Sequence, residues 1–173
     1  LFNIPGDADV ALGGAGTFSN AGIYRKSGGT GVSNSNVPFT NTGSVELQSG
    51  TLQFGNNSTN TGATYSLSPN TVLDFAGGSH TFDAASSVNG ANATVQLSAT
   101  ETFAGSYSAG TTNVNSGTAT FNLAAGTVTL PVLTFTGGTL TGTNTINIPA
   151  TGTLNWTGGV MAGSGVTNVA AGA

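Results

Sequence analysis

A repeat constrains this chain more than any other feature. Four segments share one order of side chains: leucine, polar, aromatic, small, then two residues that are glycine or asparagine. They are Leu52-Gln53-Phe54-Gly55-Asn56-Asn57, Leu73-Asp74-Phe75-Ala76-Gly77-Gly78, Leu133-Thr134-Phe135-Thr136-Gly137-Gly138 and Leu154-Asn155-Trp156-Thr157-Gly158-Gly159. Phe54 to Phe75 is 21 residues, Phe135 to Trp156 is again 21, and Gly22 to Gly43 is 21 as well. Phe75 to Phe135 is 60, close to three such periods. A fixed period of this size marks a solenoid, in which one unit cannot bury its apolar face alone and stacks on the next.

The unit reads as a strand. Leucine and aromatic are two residues apart, so they point to one side of a strand and the residue between them to the other. The residues between are Gln53, Asp74, Thr134 and Asn155, all polar. The glycine or asparagine pair then supplies the positive φ of a sharp corner. Ser44-Val45-Glu46-Leu47, Thr94-Val95-Gln96-Leu97, Thr127-Val128-Thr129-Leu130 and Thr145-Ile146-Asn147-Ile148 repeat the alternation. No window of a dozen residues sustains a 3.6-residue period with helix formers, so essentially no α-helix is expected.

The fold class predicted is all-β: a parallel β-helix, or β-solenoid, of about eight coils with roughly 21 residues per coil. At about 4.8 Å per coil the rod is roughly 40 Å long. Residues 1–173 are read as a single solenoid segment, with 1–20 as an irregular edge coil. The middle is less regular. Leu97, Phe121 and Phe135 as successive equivalents give steps of 24 and 14, and the second is too short for a full coil. One of those registers in 98–135 is therefore off.

Phe54 is expected over Phe75 and Phe135 over Trp156, as aromatic ladders in the core. Outside, neutral side chains suit a stack of coils, because like charges repeated at one coil position repel. Composition agrees: charged residues are 5% of the chain, against about 25% in typical domains. Two basic residues cannot neutralise a phosphate backbone, so no nucleic-acid partner is expected. An apolar share of 37% does not fit charge-rich disorder. There is no cysteine, and His80 is the only histidine, which excludes disulfides, thiolate sites and multi-histidine metal sites. No run approaches the roughly 18 apolar residues of a membrane helix, and no signal peptide opens the sequence. Met161 is the only methionine, so the chain is read as a piece of a longer protein.

Val95-Gln96-Leu97, Thr102-Phe103-Ala104-Gly105 and Gly110-Thr111-Thr112-Asn113-Val114-Asn115-Ser116-Gly117-Thr118-Ala119-Thr120-Phe121 together resemble the strand repeat of bacterial autotransporter passengers. Ser49-Gly50-Thr51-Leu52-Gln53-Phe54 is similar to the repeats of filamentous haemagglutinin-type surface proteins. The resemblance spans most of residues 20–170. It implies a right-handed β-helix, export, and adhesion or display at the bacterial cell surface. It carries over no catalytic residue.

Asp74, His80 and Asp83 are the densest titratable group and the candidate acid/base set of a polysaccharide-cleaving β-helix. The solvated-strand reading is preferred, since no lysine or arginine lies near to hold an acidic sugar. Asp7 and Asp9 have oxygen ligands for calcium but no following acidic cluster, and are read as a solvated turn. Arg25 and Lys26, the whole basic complement, are read as solvating an edge or loop. Trp156 occupies the aromatic slot and is assigned to the core. Tyr24, Tyr65 and Tyr107 are the candidate surface-contact residues, Tyr107 first. Threonine pairs one residue apart (118/120, 127/129, 134/136, 139/141) are candidates for an ice-binding array, but their steps of 9, 7 and 5 assign them to different faces. Asn-x-Ser/Thr at Asn56, Asn57, Asn92 and Asn155 is expected by chance in so Asn- and Thr-rich a chain.

The expected role is a structural and adhesive rod module of a large exported surface protein, without enzymatic activity, cofactor or metal. Expected partners are surface glycans, other cells, or further copies of the chain through the coil ends. The rivals are a self-assembling filament subunit, a carbohydrate-binding or -cleaving β-helix, and an ice-binding solenoid.

Overall fold

The period becomes a stack of coils because each strand finds its backbone partners one coil away. The computed structural model describes residues 1–12 and 15–173. The described residues form strands and turns, with no α-helix among them. Every strand pairing is parallel, as stacked coils of one chain require.

The coils have three faces. The first holds Phe2–Ile4, Ile23–Lys26, Ser44–Leu47, Thr64–Leu67 and the first halves of two long strands, Ser87–Leu97 and Ser106–Val114. Thr127–Thr129, Thr145–Ile148 and Thr167–Val169 follow in the same place along each coil and pair among themselves. The second face holds Val32–Ser35, Thr51–Phe54, Val72–Phe75, the second halves of the long strands, Val132–Phe135 and Thr153–Trp156. The third runs from Phe18–Asn20 through Phe39–Asn41, Ser58–Asn60, Ser79–Phe82, Thr100–Phe103, Thr118–Phe121 and Thr139–Gly142 to Val160–Met161. Eight strands on the third face make eight coils. The described residues among 1–20 form the first of them: Phe2–Ile4 pairs on the first face, Val10 bridges to Ser35 on the second, and Phe18–Asn20 pairs on the third.

Alternation decides what is inside. Leu52, Leu73, Val95, Thr112 and Leu133 stack in one inward column of the second face. Phe54, Phe75, Leu97, Val114 and Phe135 stack in the next, all fully buried. Phe54 and Phe75 lie 6.0 Å apart and 22° from parallel. On the third face Phe82, Phe103 and Phe121 form a tighter pile, at 4.9 and 5.2 Å. Offset-parallel rings at such distances add to the burial itself. At the corner from the second to the third face, the second glycine of each Gly-Gly pair takes the left-handed conformation: Gly78 at φ 88°, Gly138 at 75° and Gly159 at 87°.

Two expectations are corrected. Phe121 belongs to the third face; the second-face residue of that coil is Val114, 17 residues after Leu97 and 21 before Phe135. The sixth coil is shorter than the fifth at two places. Ala104 and Gly105 alone link the preceding third-face strand to its first face, where residues 83–86 do so one coil earlier, and Ser106–Val114 has 9 residues where Ser87–Leu97 has 11. Trp156 stacks on Phe135 at 5.8 Å but is 52% exposed, because nothing covers its other side.

Phe103 is sandwiched between Phe82 and Phe121 with 1% of its surface exposed. Phe103→Ala is expected to cost about 3–5 kcal/mol of stability, read as a lowered midpoint in urea unfolding. Phe103→Leu should lose distinctly less.

Candidate functional site

The outward rows are the surface the fold offers to a partner, and the three faces differ in what they present. On the first face Arg25 stacks beneath Glu46, and Arg25 Nε donates to Glu46 Oε2 at 2.7 Å. The second face presents a row of amides interrupted by one carboxylate and one hydroxyl: Asn34, Gln53, Asp74, Gln96, Asn113, Thr134 and Asn155. Gln53 Nε2 donates to Asp74 Oδ2 at 2.7 Å, and flanking rungs shield Asp74 so that only 9% is exposed. The third face carries hydroxyls and no charge. Ser19, Thr40, Thr59, Thr81, Thr102, Thr120 and Thr141 stack one coil apart. Beside them run Ser79, Thr100, Thr118 and Thr139. Thr118/Thr120 and Thr139/Thr141, assigned from sequence to different faces, share this one. Thr127/Thr129 lie on the first face, and Thr134 on the second.

The three tyrosines expected at the surface are inside. Tyr24 and Tyr65 are fully buried and Tyr107 is 7% exposed. They continue the inward column of Phe2, Val45 and Val88. Each is flanked by outward residues: Ile23 and Arg25, Thr64 and Ser66, Ser106 and Ser108. That phase was readable in the sequence and outweighs the tyrosine's polar tip. The Tyr65 hydroxyl donates to Asn60 Oδ1 at 2.7 Å, and the Tyr107 hydroxyl lies 2.9 Å from Thr112 Oγ1. Burial raises the pKa of all three phenols.

Asp74, His80 and Asp83 do not converge. Asp74 faces out from the second face, His80 points into the core from the third, and Asp83 caps the turn that follows. Asp83 Oδ1 accepts from Ser86 Oγ at 2.6 Å and from the Gly62 amide at 3.0 Å, and these bonds hold its carboxyl below the usual range. Asp7 and Asp9 are likewise occupied. Asp9 accepts from the backbone and side chain of Asn34, both at 2.8 Å. Asp7 Oδ1 accepts from Lys26 Nζ at 2.7 Å, which keeps its carboxyl low.

Lys26 solvates no edge. Its side chain is wholly buried, and its ammonium also donates to the carbonyls of Gly6 at 2.8 Å and Gly28 at 3.0 Å. All three protons have acceptors, which makes the burial tolerable. Lys26 thereby ties the turn after the first strand to the corner of the second coil.

Sequence reasoning also missed an interior polar column on the third face. Ser58, His80 and Glu101 occupy successive coils, one above another. His80 Nε2 donates to the Gly77 carbonyl at 2.9 Å, so the neutral ring accepts at Nδ1 from the Ser58 hydroxyl, also at 2.9 Å. Glu101 Oε1 accepts from the Ala99 amide at 2.8 Å, while Oε2 is buried without a partner. Both side chains curl back to satisfy backbone groups at their own corner. Beside them Asn20, Asn41 and Asn60 form a buried amide ladder, with Asn20 Nδ2 donating to Asn41 Oδ1 at 2.8 Å. The signal for all of these was their inward phase, two residues from a neighbouring inward position.

Burial drops the His80 pKa to about 4 and pushes Glu101 up to about 8. A raised carboxyl pKa means that the folded state keeps a proton the unfolded chain has lost, so stability falls with pH from 4.5 toward about 8. The lowered His80 value acts oppositely, and stability rises with pH from about 4 to 6.5. The two offset each other up to 6.5, and Glu101 acts alone above it. Wild-type stability is therefore expected to decline between pH 6.5 and about 8. Glu101→Gln should abolish that decline and exceed wild type at the alkaline end, measured by urea unfolding across the range.

No protein-family model, curated protein or solved structure matches this chain.

Proposed function

We propose that this chain is a rigid rod segment of a large exported bacterial surface protein. In this reading it serves as a spacer and as a platform for weak, repeated contacts with glycans or neighbouring cells. One observation carries the reading: parallel strand pairing joins every coil to the next from Phe2 to Val169, on at least two faces as far as Met161, with a continuous core beneath it. A stack whose every coil is bonded to the next has no hinge, and stiffness is what a spacer needs. Outward rows of like side chains, most regular in the third-face hydroxyls, offer a similar weak contact on successive coils, and repetition multiplies affinity without any single strong site.

The coil ends favour a related use. Leu1, Trp156, Val160, Val166 and Val169 are exposed there, at 77, 52, 59, 62 and 49%. A further coil, from the same polypeptide or from a second copy, would cover them and pair the open strand edges.

Small-angle scattering of the purified chain is expected to fit a particle whose long axis runs along the coil stack, roughly 40 Å for eight coils. A flexible or expanded profile would defeat the spacer role. Beads bearing many copies should retain on bacterial cells or glycan arrays where the free monomer does not. Polysaccharide cleavage that disappeared in both Asp74→Ala and Asp83→Ala would replace this reading with an enzymatic one.

A further inference from the structure

We propose that the third face binds ice. The inference goes beyond the spacer role and stands apart from it, since a rod can fail to bind ice and still be a rod. Four successive coils each present two outward hydroxyls: Ser79 and Thr81, Thr100 and Thr102, Thr118 and Thr120, Thr139 and Thr141. All are exposed or partly exposed. Strand geometry fixes the array at about 4.8 Å between coils and roughly 6.6–6.8 Å between the two hydroxyls of one strand. The single column continues through Thr59, Thr40 and Ser19 for three more coils.

The hydroxyls of this array are unspent. On the other faces outward side chains bond to one another, as in Arg25 with Glu46, Gln53 with Asp74 and Asn168 with Asn147. Among the described residues, none of the eight hydroxyls makes a side-chain hydrogen bond within the protein. Each keeps a donor and acceptor for whatever lies above it, beside a methyl group in seven of the eight.

Chemistry narrows the partner. A mineral or a polyanion needs charge, and this face has none. A crystalline polysaccharide is held on exposed aromatic rings; the tyrosines are buried and Trp156 lies on the second face. What fits is a periodic lattice of neutral donors and acceptors, and the two repeats of the array approximate those of the oxygen lattice in hexagonal ice. Paired strands beneath hold the hydroxyls in place, so little ordering entropy remains to be lost on contact.

The test uses the purified chain in two measurements: partition into slowly growing ice, and thermal hysteresis with crystal shape under a microscope. Wild type is expected to enter the ice fraction and facet the crystals. Thr102→Tyr and Thr120→Tyr set a ring in the middle of the array and should lose most of both signals. Thr120→Val keeps the shape without the hydroxyl and should weaken them. Ser66→Tyr, outward on the first face, should retain both. Circular dichroism of each variant reports its fold, and Thr120→Val supplies the comparison if a tyrosine variant unfolds. The proposal is overturned if wild type is excluded from ice, if Ser66→Tyr loses the signals as fully as Thr102→Tyr, or if the chain binds insoluble cellulose or chitin while staying out of ice.

Discussion

Everything in this molecule depends on the backbone ladder between one coil and the next. Parallel hydrogen bonds fix which residue sits above which, and all else follows from that register. Because Leu73 lies over Leu52 and Phe75 over Phe54, the core is a set of columns, and like side chains can recur within them. Because Thr102 lies over Thr81, the surface inherits the same order. Any side chain chosen for one coil is confronted with its counterpart above and below. That rule discourages charge, which would meet its like, and favours hydroxyls and amides, which pair with copies of themselves. The ion pair between outward strand residues respects the rule by alternating sign, with Arg25 beneath Glu46.

Much of the architecture was legible in the sequence. The period of 21, the alternation within strands and the glycine corners belong to every coil, and repetition made them visible. The assignment of a strand to a face was not. Inward-outward alternation looks alike on all three faces, so Thr118–Phe121 passed for a second-face strand. The eighteen-residue step from Thr102 to Thr120 hid the true spacing. The candidate contact surface was obscured for the same reason, because threonine pairs at steps of 9, 7 and 5 are scattered along the chain while two of them share a face. The tyrosines were misjudged because residue type was given more weight than phase. Tyr65 sits between Thr64 and Ser66, and that setting decided its direction.

The interior polar groups were the hardest to foresee. Lys26 stands in an otherwise apolar column, and His80 and Glu101 stand above Ser58 in the polar stretch of another, because corners leave backbone carbonyls and amides that need partners. Gly6, Gly28 and Gly77 supply carbonyls, and Ala99 supplies an amide. A polar side chain at the inward position nearest a corner can reach them. In the Lys26 column leucine stands instead on the next two coils, at Leu47 and Leu67. Inward phase alone therefore does not dictate an apolar side chain; the local backbone does.

The unequal lengths of the coils have a consequence for how such a chain can change. Successive third-face threonines stand 19, 22, 21, 18 and 21 residues apart from Thr40 to Thr141, yet all stack in register. The slack is taken up between the flat faces, at the loops and at the register shift between Gly90 and Thr94. Codons can thus be gained or lost there while the planar sides keep their pattern, so the lineage is free to remodel its edges without disturbing what its flat surfaces display.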